Sequence, residues 1–157
     1  MRIGVRIQAE DFDPGRETDA LVEGRPDVGA VTAFTGYCRD EGGRLAALEL
    51  EHYPGMAEDE IRRVAEEAAR RWPLLGITAI HRFGKIPPGG RIVFVAAASS
   101  HRRAAFEAAE FLMDFLKTRA PFWKREHLAV GGVGGWVEAK DADDQAAERW
   151  RSDPPPA

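Results

Sequence analysis

The stretch Pro87-Pro88-Gly89-Gly90 constrains the fold of this chain more than any other. Two prolines remove backbone donors and two glycines relax the backbone, so neither a helix nor a central strand runs through it. The residues on either side, Ile77 to Phe83 and Arg91 to Ala98, are apolar runs of strand length. Two strands separated by so short a break read as a hairpin-like pair. Three more strands follow from the same patterning. Ile3, Val5 and Ile7 alternate with Arg2, Gly4 and Arg6; Val28 to Tyr37 is rich in Val, Thr, Phe and Tyr; Leu48, Leu50 and His52 alternate with Glu49 and Glu51. Beyond Phe122-Trp123 the chain reads as a glycine-rich loop (Gly131, Gly132, Gly134, Gly135), then a short strand at Trp136-Val137.

Helices fill the gaps. Asp13-Pro14 gives an N-cap and a proline at the first helical position, with Gly24 as the stop. Ile61, Val64, Ala65, Ala68 and Trp72 recur with helical spacing, and Pro73 ends that helix. Ser99 or Ser100 is the expected cap of a second long helix, striped by Ala104, Ala105, Ala108, Phe111, Leu112 and Phe115. It runs to about Arg119, since Pro121 forbids continuation. Paired strands with helices between some of them predict an α+β fold, mainly antiparallel sheet with two long helices. The length of 157 residues suits one catalytic domain over 1–150 and a disordered tail over 151–157, which includes Asp153-Pro154-Pro155-Pro156-Ala157.

Composition narrows the function classes. A formal charge of −4 argues against general nucleic-acid affinity, so any anion site must be a local cluster. No apolar run approaches a membrane span and no hydrophobic leader follows Met1, which predicts a cytoplasmic location. Cys38 is the single cysteine, so no intrachain disulfide forms. His52, His81, His101 and His127 are scattered, without HExxH spacing, and neither a metal nor a cofactor is expected.

The segment from Lys117 to Glu126 gathers Lys117, Arg119, Lys124 and Arg125 around Phe122 and Trp123, against the single acid Glu126. Its plain reading is a basic helix end favourable to the macrodipole, followed by two core aromatics. The arginine usage favours a second reading. Of the 22 basic residues only four are lysines (Lys85, Lys117, Lys124, Lys140), and two of those fall here. Lysine, unlike arginine, can release a proton when desolvated or beside another cation, and two lysines in one pocket lower each other's pKa. Ser99-Ser100-His101-Arg102 opens a helix whose N–H groups suit a phosphate, although solvated first-turn residues are the plainer reading. Arg39 follows a strand and is most simply a surface residue. Cys38 and Arg44 satisfy Cys-x5-Arg, the pattern of cysteine phosphatases. That chemistry needs a helix N-terminus after the loop, whereas a strand follows here.

These residues also carry a family resemblance. Phe34-Thr35-Gly36-Tyr37-Cys38-Arg39, Glu51-His52-Tyr53-Pro54-Gly55-Met56, His81-Arg82-Phe83-Gly84, Ser100-His101-Arg102 and the Lys117–Glu126 segment are similar to those of the molybdopterin synthase large (catalytic) subunits. The resemblance spans roughly residues 28 to 150 and implies an α+β fold with a hammerhead-like subdomain. It implies a sulfurtransferase that converts cyclic pyranopterin monophosphate to molybdopterin. The sulfur comes from the C-terminal Gly-Gly thiocarboxylate of a small ubiquitin-like subunit. Two large subunits pair, with a small one at each end, making a heterotetramer. Lys117 would lie at the partner's terminal carbonyl and Lys124 beside the pterin, as the catalytic pair. Tyr37, Cys38, Arg39, His101, Arg102, Arg125 and Glu126 would join them in binding substrate. Cys38 stands where the family usually has an aliphatic residue, and Lys140 where some members have arginine. Two other readings stay open: a phosphatase using Cys38, and a non-catalytic scaffold for a ubiquitin-like protein.

One expectation comes from helix geometry. A straight helix places residues 101 and 117 about 24 Å apart, too far to serve one small site. A two-fold dimer brings one helix start beside the other's helix end. Lys117, Lys124 and Arg39 of one chain would then meet His101 and Arg102 of its neighbour.

Overall fold

Strand β6 (Arg91–Ser99) organises the molecule because both of its faces are apolar. Val93, Val95 and Ala97 belong to one hydrophobic cluster, and Phe94, Ala96 and Ala98 to another. A strand buried on both faces must lie inside its sheet with cover on each side. β6 does so, in the order β1-β4-β6-β2, with β1 (Arg2–Gln8), β4 (Leu74–Arg82) and β2 (Ala30–Tyr37). The β4–β6 pair is antiparallel, as the Pro-Pro-Gly-Gly break predicts, and Gly89 takes a positive φ of 85° in the turn. β1 pairs with β4 in parallel, the exception to an otherwise antiparallel arrangement.

The computed structural model describes residues 1–137 and 141–151. Lys140 and the residues from Ser152 to Ala157 lie outside the described residues. Helices α2 (Met56–Arg71) and α3 (Arg102–Thr118) cover one face of the first sheet, and α1 (Pro14–Val22) covers the other through Leu21. Asp13 caps α1, its Oδ1 accepting from the N–H groups of Gly15 and Arg16.

The cap expected for α3 is different. Neither serine starts the helix: Ser99 is the last residue of β6 and donates its hydroxyl to the Pro73 carbonyl at 2.8 Å. The N-cap position falls to His101, which makes no capping hydrogen bond through its side chain.

A second sheet, antiparallel throughout, has the order β5-β3-β7-β8: β5 (Gly84–Ile86), β3 (Leu45–His52), β7 (Phe122–Leu128) and β8 (Val133–Val137). β5 and β7 are absent from the pattern reading. β7 leaves α3 through a bend at Ala120-Pro121 and inserts between β3 and β8. A small cluster of Cys38, Leu45, Leu50 and Ile86 holds this sheet against the first. The polar stretch after β8 forms α4 (Asp141–Glu148) and a 3-10 turn (Arg149–Arg151), which seats Trp150 edge-on to Trp72 and Phe111. Among the described residues no helix is long and apolar enough to cross a membrane.

Candidate active site

Alternation along β7 decides which side chains can meet. Phe122, Lys124 and Glu126 share one face, while Trp123, Arg125 and His127 share the other. β3, paired with β7, turns Leu48 and Leu50 to the face of Lys124. On β4 the face that buries Ile77 and Ala79 under the helices continues two residues on to His81. α3 delivers Met113, Leu116 and Lys117 with helical spacing. These residues line one cavity of about 160 Å³ between the two sheets, beneath the end of α3. Its walls are mostly aliphatic, and its charged lining is Lys117, Lys124 and Asp143.

His81 is buried, and its ring stacks on Phe122 with centroids 3.8 Å apart and an interplanar angle of 18°. Its Nδ1 lies 2.8 Å from the Arg82 carbonyl. Burial is the main force pushing its pKa down, to about 4, and the charges of Lys117, His52 and Lys124 push the same way. His81 is therefore a neutral imidazole at physiological pH. The pocket joins two lysines, one aspartate, a neutral base and apolar walls, a combination in which cations outnumber the acid and that suits an anionic substrate.

A larger cavity of about 330 Å³ lies beside α4, lined by Arg63, Arg71, Arg119, Arg151 and three aromatic residues. Arg63, Arg71 and Arg151 pair there with Glu60, Glu67 and Glu148. Neither lysine nor histidine lines it, so the smaller lysine cavity is the better candidate.

Of the residues expected at the site, the structure brings together Lys117 and Lys124. Arg125 lies on the opposite face of β7, its guanidinium 4.1 Å from the Trp136 ring. Glu126 shares the Lys124 face but is drawn to Arg44 at 2.7 Å. Tyr37 is exposed, and Arg39 is exposed and paired with Glu41. His101 and Arg102 are exposed at the far end of α3 from Lys117. Cys38 is 2% exposed, and burial raises its thiol pKa. The loop after it leads into β3 and not into a helix, which removes the geometry a phosphatase cysteine needs.

The family model described as MoaE protein matches residues 7–119. The chain belongs to the MoaE family. A curated relative, the molybdopterin synthase catalytic subunit of Mesorhizobium japonicum, is 68% identical over 148 residues, covering 94% of this chain and 93% of the relative. The Escherichia coli protein of the same name is 51% identical over 146 residues, covering 92% of this chain and 95% of that one. Among solved structures, the molybdopterin biosynthesis MoaE protein of Burkholderia ambifaria superposes with a TM-score of 0.81 at 47% identity, covering 96% of this chain and 98% of that one.

For this MoaE-family chain, sequence reasoning missed His81 as a site residue. It stands in an apolar run and reads as one more core position; the alternation with Ile77 and Ala79 is the signal that could have placed it. Phe122 walls the cavity, but Trp123 points away and packs edge-on against Tyr53.

Proposed function

We propose that the cavity holding Lys117 and Lys124 is the sulfur-transfer site of a molybdopterin synthase catalytic subunit. The substrate is cyclic pyranopterin monophosphate, and both sulfurs come from the C-terminal thiocarboxylate of a small ubiquitin-like subunit. The supporting observation is the convergence of two of the chain's few lysines on one apolar-walled pocket, in a chain whose relatives are named catalytic subunits of this enzyme. The word subunit implies a partner, and a slim glycine-ended tail suits an opening of about 160 Å³.

Lys117 polarises the thiocarboxylate carbonyl or handles its proton, and Lys124 acts as general acid or base at the pterin. Each transfer forms a C–S bond at a pterin carbon whose C–O bond breaks, the oxygen leaving on the opened phosphate or as water, and hydrolysis of the acyl C–S bond leaves a carboxylate on the partner. The whole substrate exceeds this one cavity, and the remaining anion contacts come from His101 and Arg102 of a second copy, with Tyr37 and Arg39 at the rim. This reading makes the chain a homodimer within a heterotetramer, working in the cytoplasm.

The test mixes the chain with thiocarboxylated partner and the cyclic pterin, and follows dithiolene formation. Formation that requires the thiocarboxylate supports the reading. Phosphate release without sulfur uptake, or partner binding without turnover, overturns it.

A further inference from the structure

His81 lines the cavity, yet the chemistry above gives it no task. It is one of two polar residues in the described core, the other being Ser99, whose hydroxyl is committed to Pro73. The His81 Nδ1 faces the Arg82 carbonyl at 2.8 Å. A carbonyl only accepts, so Nδ1 carries the hydrogen and Nε2 is left with a bare lone pair. A 180° turn of the ring would put Cδ2 and not a nitrogen against that carbonyl, and stacking on Phe122, whose ring in turn stacks on His52 at 5.9 Å, hinders it. Charged or titratable groups approach from each neighbouring element: Lys117 from α3, Lys124 from β7, His52 from β3 and Asp143 from α4. Lys117 is foremost among the charges acting on the ring. The Lys117 side chain is exposed at a helix end, where an ammonium on a four-carbon stem samples many rotamers.

We propose that His81 is a positioning residue for Lys117: its bare Nε2 accepts one N–H of the Lys117 ammonium and aims the other two at an anion in the cavity. This inference rests on the sulfur-transfer reading of the same pocket. The neutrality of the ring matters, because a protonated imidazole would repel the ammonium it is meant to hold. Burial and the surrounding cations keep it neutral well below physiological pH.

The experiment compares His81→Phe, which keeps the ring stack and removes the acceptor, with His81→Gln, which restores an acceptor oxygen and an amide donor for the Arg82 carbonyl. Losing a hydrogen bond to a charged group corresponds to roughly a 10- to 100-fold change. The expected result is that loss in kcat for His81→Phe, with KM within about threefold, and recovery of most of it in His81→Gln. Full activity in His81→Phe overturns the proposal, and so does equal loss in both variants, which would mark a structural role. A second measurement does not depend on turnover or on the His81 variants folding. In the wild-type chain the nitrogen resonances of His81 should show an unprotonated Nε2 at neutral pH, and Lys117→Met should shift that signal. An Nε2 signal unmoved by Lys117→Met overturns the proposal. If the wild-type chain forms no dithiolene, the functional reading fails, and the resonance arm still decides the His81–Lys117 contact.

Discussion

Acidification should destabilise this protein through His81 before any carboxylate is involved. In the unfolded chain its imidazole titrates near 6.5, while burial lowers the folded value to about 4. Between these values the unfolded state binds a proton that the folded state refuses, so stability falls as pH falls. Above the unfolded pKa both states are neutral and the effect vanishes; below the folded pKa it saturates. Each pH unit inside the window is worth about 1.4 kcal/mol, and the full transition from pH 7 to pH 5 comes to about 2 kcal/mol. Asp11, Glu49 and Glu107, whose pKa values are lowered in the fold, lose their contributions at lower pH still. They do so in wild type and variant alike. The assay is urea unfolding of wild type and His81→Phe at both pH values. With a slope of about 2 kcal/mol per molar urea, the wild-type midpoint should fall by about 1 M more than that of the variant. Equal shifts would show that His81 titrates as an ordinary exposed histidine, and its neutrality in the cavity would fail with it.

The other expectations concern the site more directly. Lys117→Ala and Lys117→Arg should each lower dithiolene formation by more than ~100-fold, about 2.7 kcal/mol in the barrier, with melting temperatures unchanged; near-normal turnover by the arginine variant would remove proton handling from Lys117. Cys38 should resist thiol reagents until the protein unfolds, and Cys38→Ser should keep turnover within ~100-fold of wild type; rapid labelling in the native state would contradict its burial. Mixing Lys117→Ala with His101→Ala subunits should restore measurable turnover through mixed dimers, and a mixture as inactive as its components would rule out a site shared between chains.

Much of the architecture follows from local patterning. The two long helices and β4 and β6 all come from apolar periodicity, which the core then uses directly. β7 does not, because Lys124, Arg125, Glu126 and His127 place charge or potential charge on both faces of the strand. Three-dimensional context makes that tolerable: one face opens on the cavity, and the other carries the Arg125–Trp136 stack and the His127–Glu49 contact at 2.6 Å. Only the end of β8, Trp136-Val137, reads as strand; its start reads as loop because of Gly134 and Gly135, and owes its extension to pairing with β7. Lys117 and Lys124 were legible as a pair from the chain's sparing use of lysine. His81 was legible only as sharing a face with Ile77 and Ala79, and no local pattern reports that this apolar face ends at a cavity wall.

The bend between α3 and β7 has a mechanical consequence. Residues 118–123 carry the chain from one lysine to the other, and the bend is stiffened by bonds from the Arg119 and Ala120 N–H groups to the Phe115 carbonyl and from Phe122 N–H to Ala120. Lys117 rides on the helix anchored to the first sheet, while Lys124 rides on the second sheet. The bend is thus a fulcrum and β7 a lever arm, with Lys124 ~10 Å along it at about 3.3 Å per residue. Rotating the second sheet by only ~5° would move the Lys124 backbone by ~1 Å relative to Lys117, a displacement that can cost on the order of 100-fold in rate. A ligand that gripped the outer face of that sheet, at Trp123, Arg125 or Trp136, would act on the lever at about the same distance from the bend as Lys124 and so would set the gap between the two lysines.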